Sequence, residues 1–312
     1  MSSQSVSHPN MRNSGTVWVM AVNQFDGVNL QTMWSLVKPL SEQFGARVEA
    51  AYVLAPASMN WTGAFSGPWM KKYAPVAQEK LTQLLPDDSL KKTIVKCAES
   101  GQRASVEALV RHATEVNADY LVISTHARSG LERLAMGSFA ESVILMSSIP
   151  VLVLNPTHKL PQEIHKILVP TDLSKKSEKY IEALANYAQR LGAEIILFHK
   201  QPDPLDPIIQ QGVYSLGGGW VSVQSYIDDE LEAKNSRITS IETALRSSGL
   251  TVSHIFDTSP EGLVESIERA ASDNGADMVS VLTQSVGWSA ALLGSVARGL
   301  MRTSTIPVLV RR

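Results

Sequence analysis

A chain of 312 residues, 44% hydrophobic and 19% charged with 19 Gly and 15 Pro, has the make-up of a folded globular protein with room for about two domains. The formal net charge of -2 and a pI near 6.4 leave no electrostatic footprint for nucleic acid or an anionic membrane, so the expected partners are small molecules and other proteins. The polar opening MSSQSVSHPNMRNSG lacks an apolar signal core, no run approaches the roughly 18 apolar residues of a membrane span, and the lone Cys97 reads as a buried thiol in a reducing compartment. A cytoplasmic protein is expected.

Residues 1–15 are expected to form a disordered tail. From there, short β-branched runs alternate with amphipathic stretches of helix length: TVWVMAV (16–22), RVEAAYV (47–53), KTIVKCA (92–98), DYLVIS (119–124) and PVLVL (150–154). Between the third and fourth runs, Val106, Leu109, Val110, Ala113 and Val116 recur at helical spacing and lay one apolar stripe on a sheet. NPTHKLPQEIH (155–165) has two prolines and no apolar period, so residues 157–162 read as a linker. HKILVP (165–170), EIILFH (194–199), TVSHIF (251–256), DMVSVL (277–282) and PVLVR (307–311) then repeat the series. In this second series Ser259-Pro260 is expected to cap a helix that buries Leu263, Ile267 and Ala270.

Two long stretches follow the second strand of each series, APASMNWTGAFSGPWMKKYAP (55–75) and QPDPLDPIIQQGVYSLGGGWVSVQSY (201–226), and read as functional or mobile loops. Their Trp61, Trp69 and Trp220 are expected to cover a sheet edge or meet a partner. Gly217-Gly218-Gly219 lacks a strand-to-helix context and reads as a flexible turn.

The repetition is close. NADYLVIST (117–125) recurs as GADMVSVLT, GSFAESVILMSSIPVLVL (137–154) as GSVARGLMRTSTIPVLVR, and FGARVEAAYV (44–53) as LGAEIILFHK, at offsets of 158, 157 and 147 residues. Matched order at near-constant offset means two copies of one domain, 16–156 and 163–312. Strands alternating with helices make each copy a doubly wound α/β domain with a five-stranded parallel sheet. Ligands of such sheets bind beyond the carboxyl ends of the strands.

ISTHARSGLERLAMGSFAES (123–142) falls there. A strand ends near Ser124, a loop runs out, and Gly137-Ser138 open a helix whose bare N-H groups and dipole suit an anion, with the Ser138 hydroxyl as a further donor. Taken alone, the pair reads equally as a plain helix cap, Ser138 bonding its own turn, and that reading is the favoured one for a single loop.

Ser124-x2-Ala127-x9-Gly137-Ser138, with His126 inside it, resembles the Gly-x2-Gly-x9-Gly-Ser/Thr loop of the ATP-binding universal stress proteins, and ILVPTDLS (167–174) resembles the end of that family's first strand. The likeness covers nearly the whole chain and points to a tandem two-domain member. It implies two adenine-nucleotide-hydrolase-like domains packed as a pseudo-dimer, with PVLVL and PVLVR meeting across a pseudo-twofold axis. It implies ATP or another adenine nucleotide as ligand, held by Ser124, His126, Ala127, Gly137, Ser138 and Phe139 in the first copy. Asp172 would lie against a nucleoside in the second copy, which keeps only Gly294 and Ser295 of the loop in Val281-x2-Gln284-x9-Gly294-Ser295. Val281 and Gln284 should obstruct phosphates there. In the first copy the place of Asp172 falls to Asn23 or Asp26. Each half therefore carries half of a nucleotide site, the first half holding the better phosphate loop.

No Gly-x4-Gly-Lys-Ser/Thr and no Gly-x-Ser-x-Gly is present, which excludes a P-loop NTPase and an α/β-hydrolase. The seven histidines form no close metal-ligand pair, so no metal site is expected, and His199 reads as a core residue. Arg128, Glu132 and Arg133 read as solvated loop charges, Arg128 being within reach of a phosphate. The resemblance implies a non-catalytic stress-response protein with nucleotide or protein partners, and leaves room for homodimerisation beyond the internal pair. The rival is a slow ATPase or nucleotide-dependent enzyme using the first site, for which His126 is the one candidate base.

Overall fold

A computed structural model describes residues 16–22, 27–56, 67–124, 138–155, 158, 163–201, 213–214, 220–221, 223–283 and 294–311. The tail 1–15, Asn23, Asp26, Trp61, Gly217 to Gly219 and most of the linker lie outside the described residues. The first half runs β1 (Val17–Val22), α1 (Gly27–Gln43), β2 (Arg47–Leu54), α2 (Gly67–Leu84), β3 (Lys91–Lys96), α3 (Gln102–Glu115), β4 (Tyr120–Ser124), α4 (Ser138–Met146) and β5 (Val151–Leu154). The second runs β6 (Lys166–Pro170), α5 (Lys175–Leu191), β7 (Glu194–Lys200), β8 (Val213–Tyr214), β9 (Trp220–Val221), α6 (Val223–Ser247), β10 (Val252–Asp257), α7 (Leu263–Asp273), β11 (Met278–Leu282), α8 (Ser295–Thr303) and β12 (Val308–Arg311).

Ten strands form one sheet in the order β3-β2-β1-β4-β5-β12-β11-β6-β7-β10. Within each half all pairs of this sheet are parallel, and β5 meets β12 antiparallel with Val151 opposite Val310, Leu152 opposite Leu309 and Val153 opposite Val308. Two short apolar edges have thus found each other, and Leu152 and Leu309 are 4% and 3% exposed. The expected pseudo-dimer is the architecture found. Each edge strand is led in by the same device: the Ser147 hydroxyl donates to the Ile149 carbonyl at 2.7 Å and the Ser304 hydroxyl to the Ile306 carbonyl at 2.8 Å.

Strand alternation divides the core by face. Trp18, Met20 and Val22 point into a cluster with α1, α2, α5 and α6, while Val19 and Ala21 point into one with α3, α4, α7 and α8. Leu152 and Leu309 sit together in the first cluster, so its packing runs unbroken across the junction. Repeated turns fix the helix ends: Gly45 and Gly192 adopt φ of 57 and 65 after α1 and α5, and Asn117 and Gly275 adopt 51 and 62 after α3 and α7.

Three expectations need correction. The stretch 55–75 is not all loop, because α2 begins at Gly67 and takes in Trp69 and Pro75. The apolar stripe Met70, Ala77 and Leu81 holds that helix on the sheet in spite of the internal proline. In 201–226, β8 and β9 pair as a hairpin and α6 begins at Val223. Ser259-Pro260 does not cap α7, whose cap is Gly262. The Ser259 hydroxyl is bound to Asp257 instead, and Leu263 stays 39% exposed while Ser266, Ile267, Ala270 and Ala271 are buried. Cys97 is buried as expected, one residue beyond β3, with its thiol 3.5 Å from the Glu99 carbonyl.

Candidate functional site

Ser124 is the last residue of β4, opposite Leu154 of β5, and the chain returns at Ser138, the first residue of α4. His126, Ala127, Gly137, Arg128, Glu132 and Arg133 lie outside the described residues. The Ser138 hydroxyl does not close its own turn. It donates to Gln102 Oε1 at 2.8 Å and so ties the start of α4 to the start of α3. Phe139 packs half-buried against the core cluster beneath and so fixes the helix start.

In the second half Gly294 caps α8 with φ -55 and ψ 145, and Ser295 opens the helix. A Cβ at Gly294 would meet nothing within 4 Å, so neither strain nor crowding demands glycine there. The strand register corrects one expected equivalence. Ser124 lies opposite Leu154 and Leu282 opposite Arg311, so Leu282, not Val281, holds the place of Ser124. Val281 is 4% exposed inside β11 and does not reach the strand end; Gln284 lies outside the described residues.

Asp172 follows β6 in a tightly bonded turn. Its Oδ1 accepts the Ser174 amide at 2.9 Å and the Ser177 hydroxyl at 2.5 Å, while the Ser174 hydroxyl accepts the Ser177 amide and caps α5. Thr171 Oγ1 accepts the amide of Leu173 at 3.0 Å, and Leu173 is held at φ 57. His199, buried at the end of β7, donates from Nδ1 to the Thr171 carbonyl at 2.8 Å and meets Phe256 edge-on. It is a core residue, as expected.

Beside this turn lies a network that the sequence reading missed. Lys200 Nζ donates to Asp257 Oδ2 at 2.6 Å, to Ser259 Oγ at 3.0 Å, to Ser266 Oγ at 2.9 Å and to the Ser259 carbonyl. Arg269 holds Asp257 Oδ1 at 2.7 Å and Glu261 at 2.9 Å. Burial pushes the Asp257 carboxyl up, but the bonds from Lys200, Arg269, Ser259 and Ser266 outweigh it and hold the group well below the usual carboxylate range. The register that pairs Asp257 with Lys200 pairs Val95 with Val53 in the first half. The strand ends of the second half are therefore filled by the chain's own charges, where the first half has valines. The signal was a charged residue, Lys200 and Asp257, closing each of two adjacent strands at the carboxyl end.

Antiparallel pairing at the junction makes the strands of the two halves run in opposite directions, which sends their carboxyl ends to opposite ends of the sheet. Ser124, which ends β4, and Asp172, which follows β6, therefore lie toward opposite ends of the sheet. Among the described residues, no group of three or more His, Cys, Asp or Glu is placed to hold a metal ion, and no helix is long and apolar enough to cross a membrane.

The sequence profile of the Universal stress protein family matches residues 34–155 and 163–312. A universal stress protein of Methanocaldococcus jannaschii is 29% identical over 162 residues, covering 48% of this chain and 89% of that protein. The crystal structure of a universal stress protein from Archaeoglobus fulgidus superposes with a TM-score of 0.65 at 14% identity, covering 94% of this chain and 98% of that one. A structure titled as a putative universal stress protein from Pseudomonas aeruginosa gives 0.58 at 14% identity, covering 96% and 93%. At such identities the superpositions speak for the fold alone, and the two-fold profile match carries the family. With a doubly wound half on each side of a β5–β12 junction and the profile met once in each, this chain belongs to the universal stress protein family.

Proposed function

We propose that this chain is a non-catalytic stress-response protein that holds an adenine nucleotide, ATP or one like it, at the strand ends of its first half. The phosphates lie on the loop from Ser124 through His126 and Ala127 to Gly137 and Ser138, with the amide of Phe139 completing the anion end. One observation carries the choice of half: Leu282 replaces Ser124 in the second copy, and the Lys200–Asp257–Arg269 network occupies the neighbouring strand ends. Gly294, Ser295 and Asp172 keep the shape of a second site that such a ligand fills poorly. Binding through backbone amides calls on no side chain to activate water, which supports a binding role over turnover, with His126 as the one candidate base for the rival.

The test is thermal denaturation of the full chain with millimolar ATP. At 100-fold the dissociation constant, binding stabilises by roughly 2.7 kcal/mol, a rise of several degrees at about 2 to 4 °C per kcal/mol. Gly137→Val should abolish the rise and Gly294→Val should leave it. The opposite pattern moves the site to the second half, and no rise in the wild type or in Gly137→Val ends the nucleotide reading. Phosphate release near the enzyme median of about 10 per second would establish the ATPase instead.

A further inference from the structure

The two outer edges of the ten-stranded sheet, β3 and β10, are finished differently. The register that pairs Leu197 with His254 is the one that pairs Ala50 with Lys92, so His254 stands where the first half has Lys92. At the β10 edge the charges close on themselves. Glu242, 4% exposed, bonds His254 Nδ1 at 2.8 Å and lies 3.4 Å from Arg246, which also donates to the Val252 carbonyl at 2.7 Å.

At the β3 edge the one such cluster, Lys91 with Glu49 and His112, lies on the α3 side, and among the described residues the α2 side lacks that closure. Between α2 and β3 runs an open groove of about 470 Å³ whose lining includes Lys71, Gln78, Lys92, Ile94 and Lys96, with three lysines and no carboxylate among the described residues. Lys92 Nζ donates to the Asp87 carbonyl at 2.6 Å, which anchors the ammonium without neutralising it. The Cys97 amide donates to Leu54 of β2, so by alternation the backbone of Lys92, Ile94 and Lys96 faces outward. Gln78 Nε2 reaches the Lys92 carbonyl at 3.2 Å and confirms that direction. The side chains of these three residues share one face, with Ile94 between the two ammonium groups.

We propose that this groove is a docking site for an acidic, extended peptide segment of a partner protein, which adds alongside β3 as an eleventh strand. Two carboxylates four residues apart on the segment meet Lys92 and Lys96, an apolar residue between them covers Ile94, and Lys71 closes the groove from α2. The pattern that fits is Glu-x-Val-x-Glu. Charge complementarity selects an acidic ligand, and the outward-facing strand backbone selects a peptide over a polyphosphate or a nucleic acid.

The test is a fluorescence-anisotropy titration of the full chain with labelled Glu-Thr-Val-Thr-Glu, its Lys-for-Glu version, its Pro-for-Val version and a short single-stranded DNA. The acidic peptide should bind at least ~10-fold more tightly than the other three, and Lys71→Glu with Lys96→Glu should weaken it by at least ~10-fold. Ile94→Pro removes an N-H that the sheet does not use and should also weaken it, with circular dichroism checking the fold. The Pro-for-Val peptide makes the same break from the ligand's side, in an unaltered protein. Equal binding of the acidic and basic peptides, undiminished binding of the proline peptide, or tighter binding of DNA would each overturn the proposal.

Discussion

Leu173 shows how one residue is held against its own preference. A left-handed backbone costs a non-glycine residue about 1 to 2 kcal/mol, yet this leucine adopts φ 57 while 3% exposed in the core. Burial decides the contest, since removing a buried leucine costs about 2 to 5 kcal/mol. Leu173→Gly should relieve the strain, lose the packing, and lower the urea stability by about 2 kcal/mol net. A more stable variant would mean that the strain dominates. Glu141 and Arg298 make a different point, for they occupy equivalent positions of the two copies and pair with each other at 2.5 Å across the junction. Two identical copies would set like charges there. Both side chains are about a third exposed, so the pair contributes about 0.2 to 1 kcal/mol. Arg298→Glu should destabilise by a similar amount, and adding Glu141→Arg should restore most of the loss in a double-mutant cycle.

Among the elements, α7 and α8 approach so closely that a Cβ on Gly299 would lie 2.6 Å from Val264 Cγ2. Gly299→Ala gains about 1 kcal/mol of helix propensity against an overpacking cost of about 1 to 3 kcal/mol from a stiff β-branched neighbour. The melting temperature should therefore fall by a few degrees, and Val264→Ala should recover part of it. The same helices mark what a sequence discloses. The central strands were legible because a strand buried on both faces must be largely apolar: β5 is so throughout, and β4, β11 and β12 depart from it only at Ser124, Ser280 and Arg311 apart from the aromatic Tyr120. α2 was hidden by Pro75 and by Gly67-Pro68, local signals that the tertiary stripe Met70, Ala77 and Leu81 overrides. The cap of α7 was misplaced because the Ser259 hydroxyl serves Lys200, a partner 59 residues away that no local pattern announces. At the candidate site, the Gly137-Ser138 pair was readable as chemistry. The assignment of Leu282 to the place of Ser124 needed the register, because the strand and loop repeats differ by one residue in offset.

At the scale of the whole molecule, the expected half-sites are not complementary, since the junction that joins the sheets also sets their carboxyl ends apart. What the halves do share is the chain between them. His158, in the expected linker, is 8% exposed: Nδ1 accepts the Asn155 amide at the end of β5, and Nε2 donates to the Ser304 carbonyl at the end of α8, each at 3.1 Å. One neutral ring thus fastens the first half's last strand to the second half. Burial pushes its pKa down to about 4 from the ordinary 6.5, and the bond to Ser304 only partly offsets this. The unfolded chain takes up a proton near pH 6.5 while the folded one resists until about pH 4, so the contribution is full above pH 6.5 and is withdrawn as the pH falls through that window. Over 2.5 pH units the loss amounts to about 3 kcal/mol. His158→Gln keeps a donor and an acceptor but does not titrate, so subtracting its urea stability from that of the wild type at each pH removes the background of all other groups. The difference should fall by about 3 kcal/mol between pH 7 and pH 4, with most of the drop below pH 6. Parallel curves for the two proteins would show that the ring is solvated and that the halves are not fastened through it.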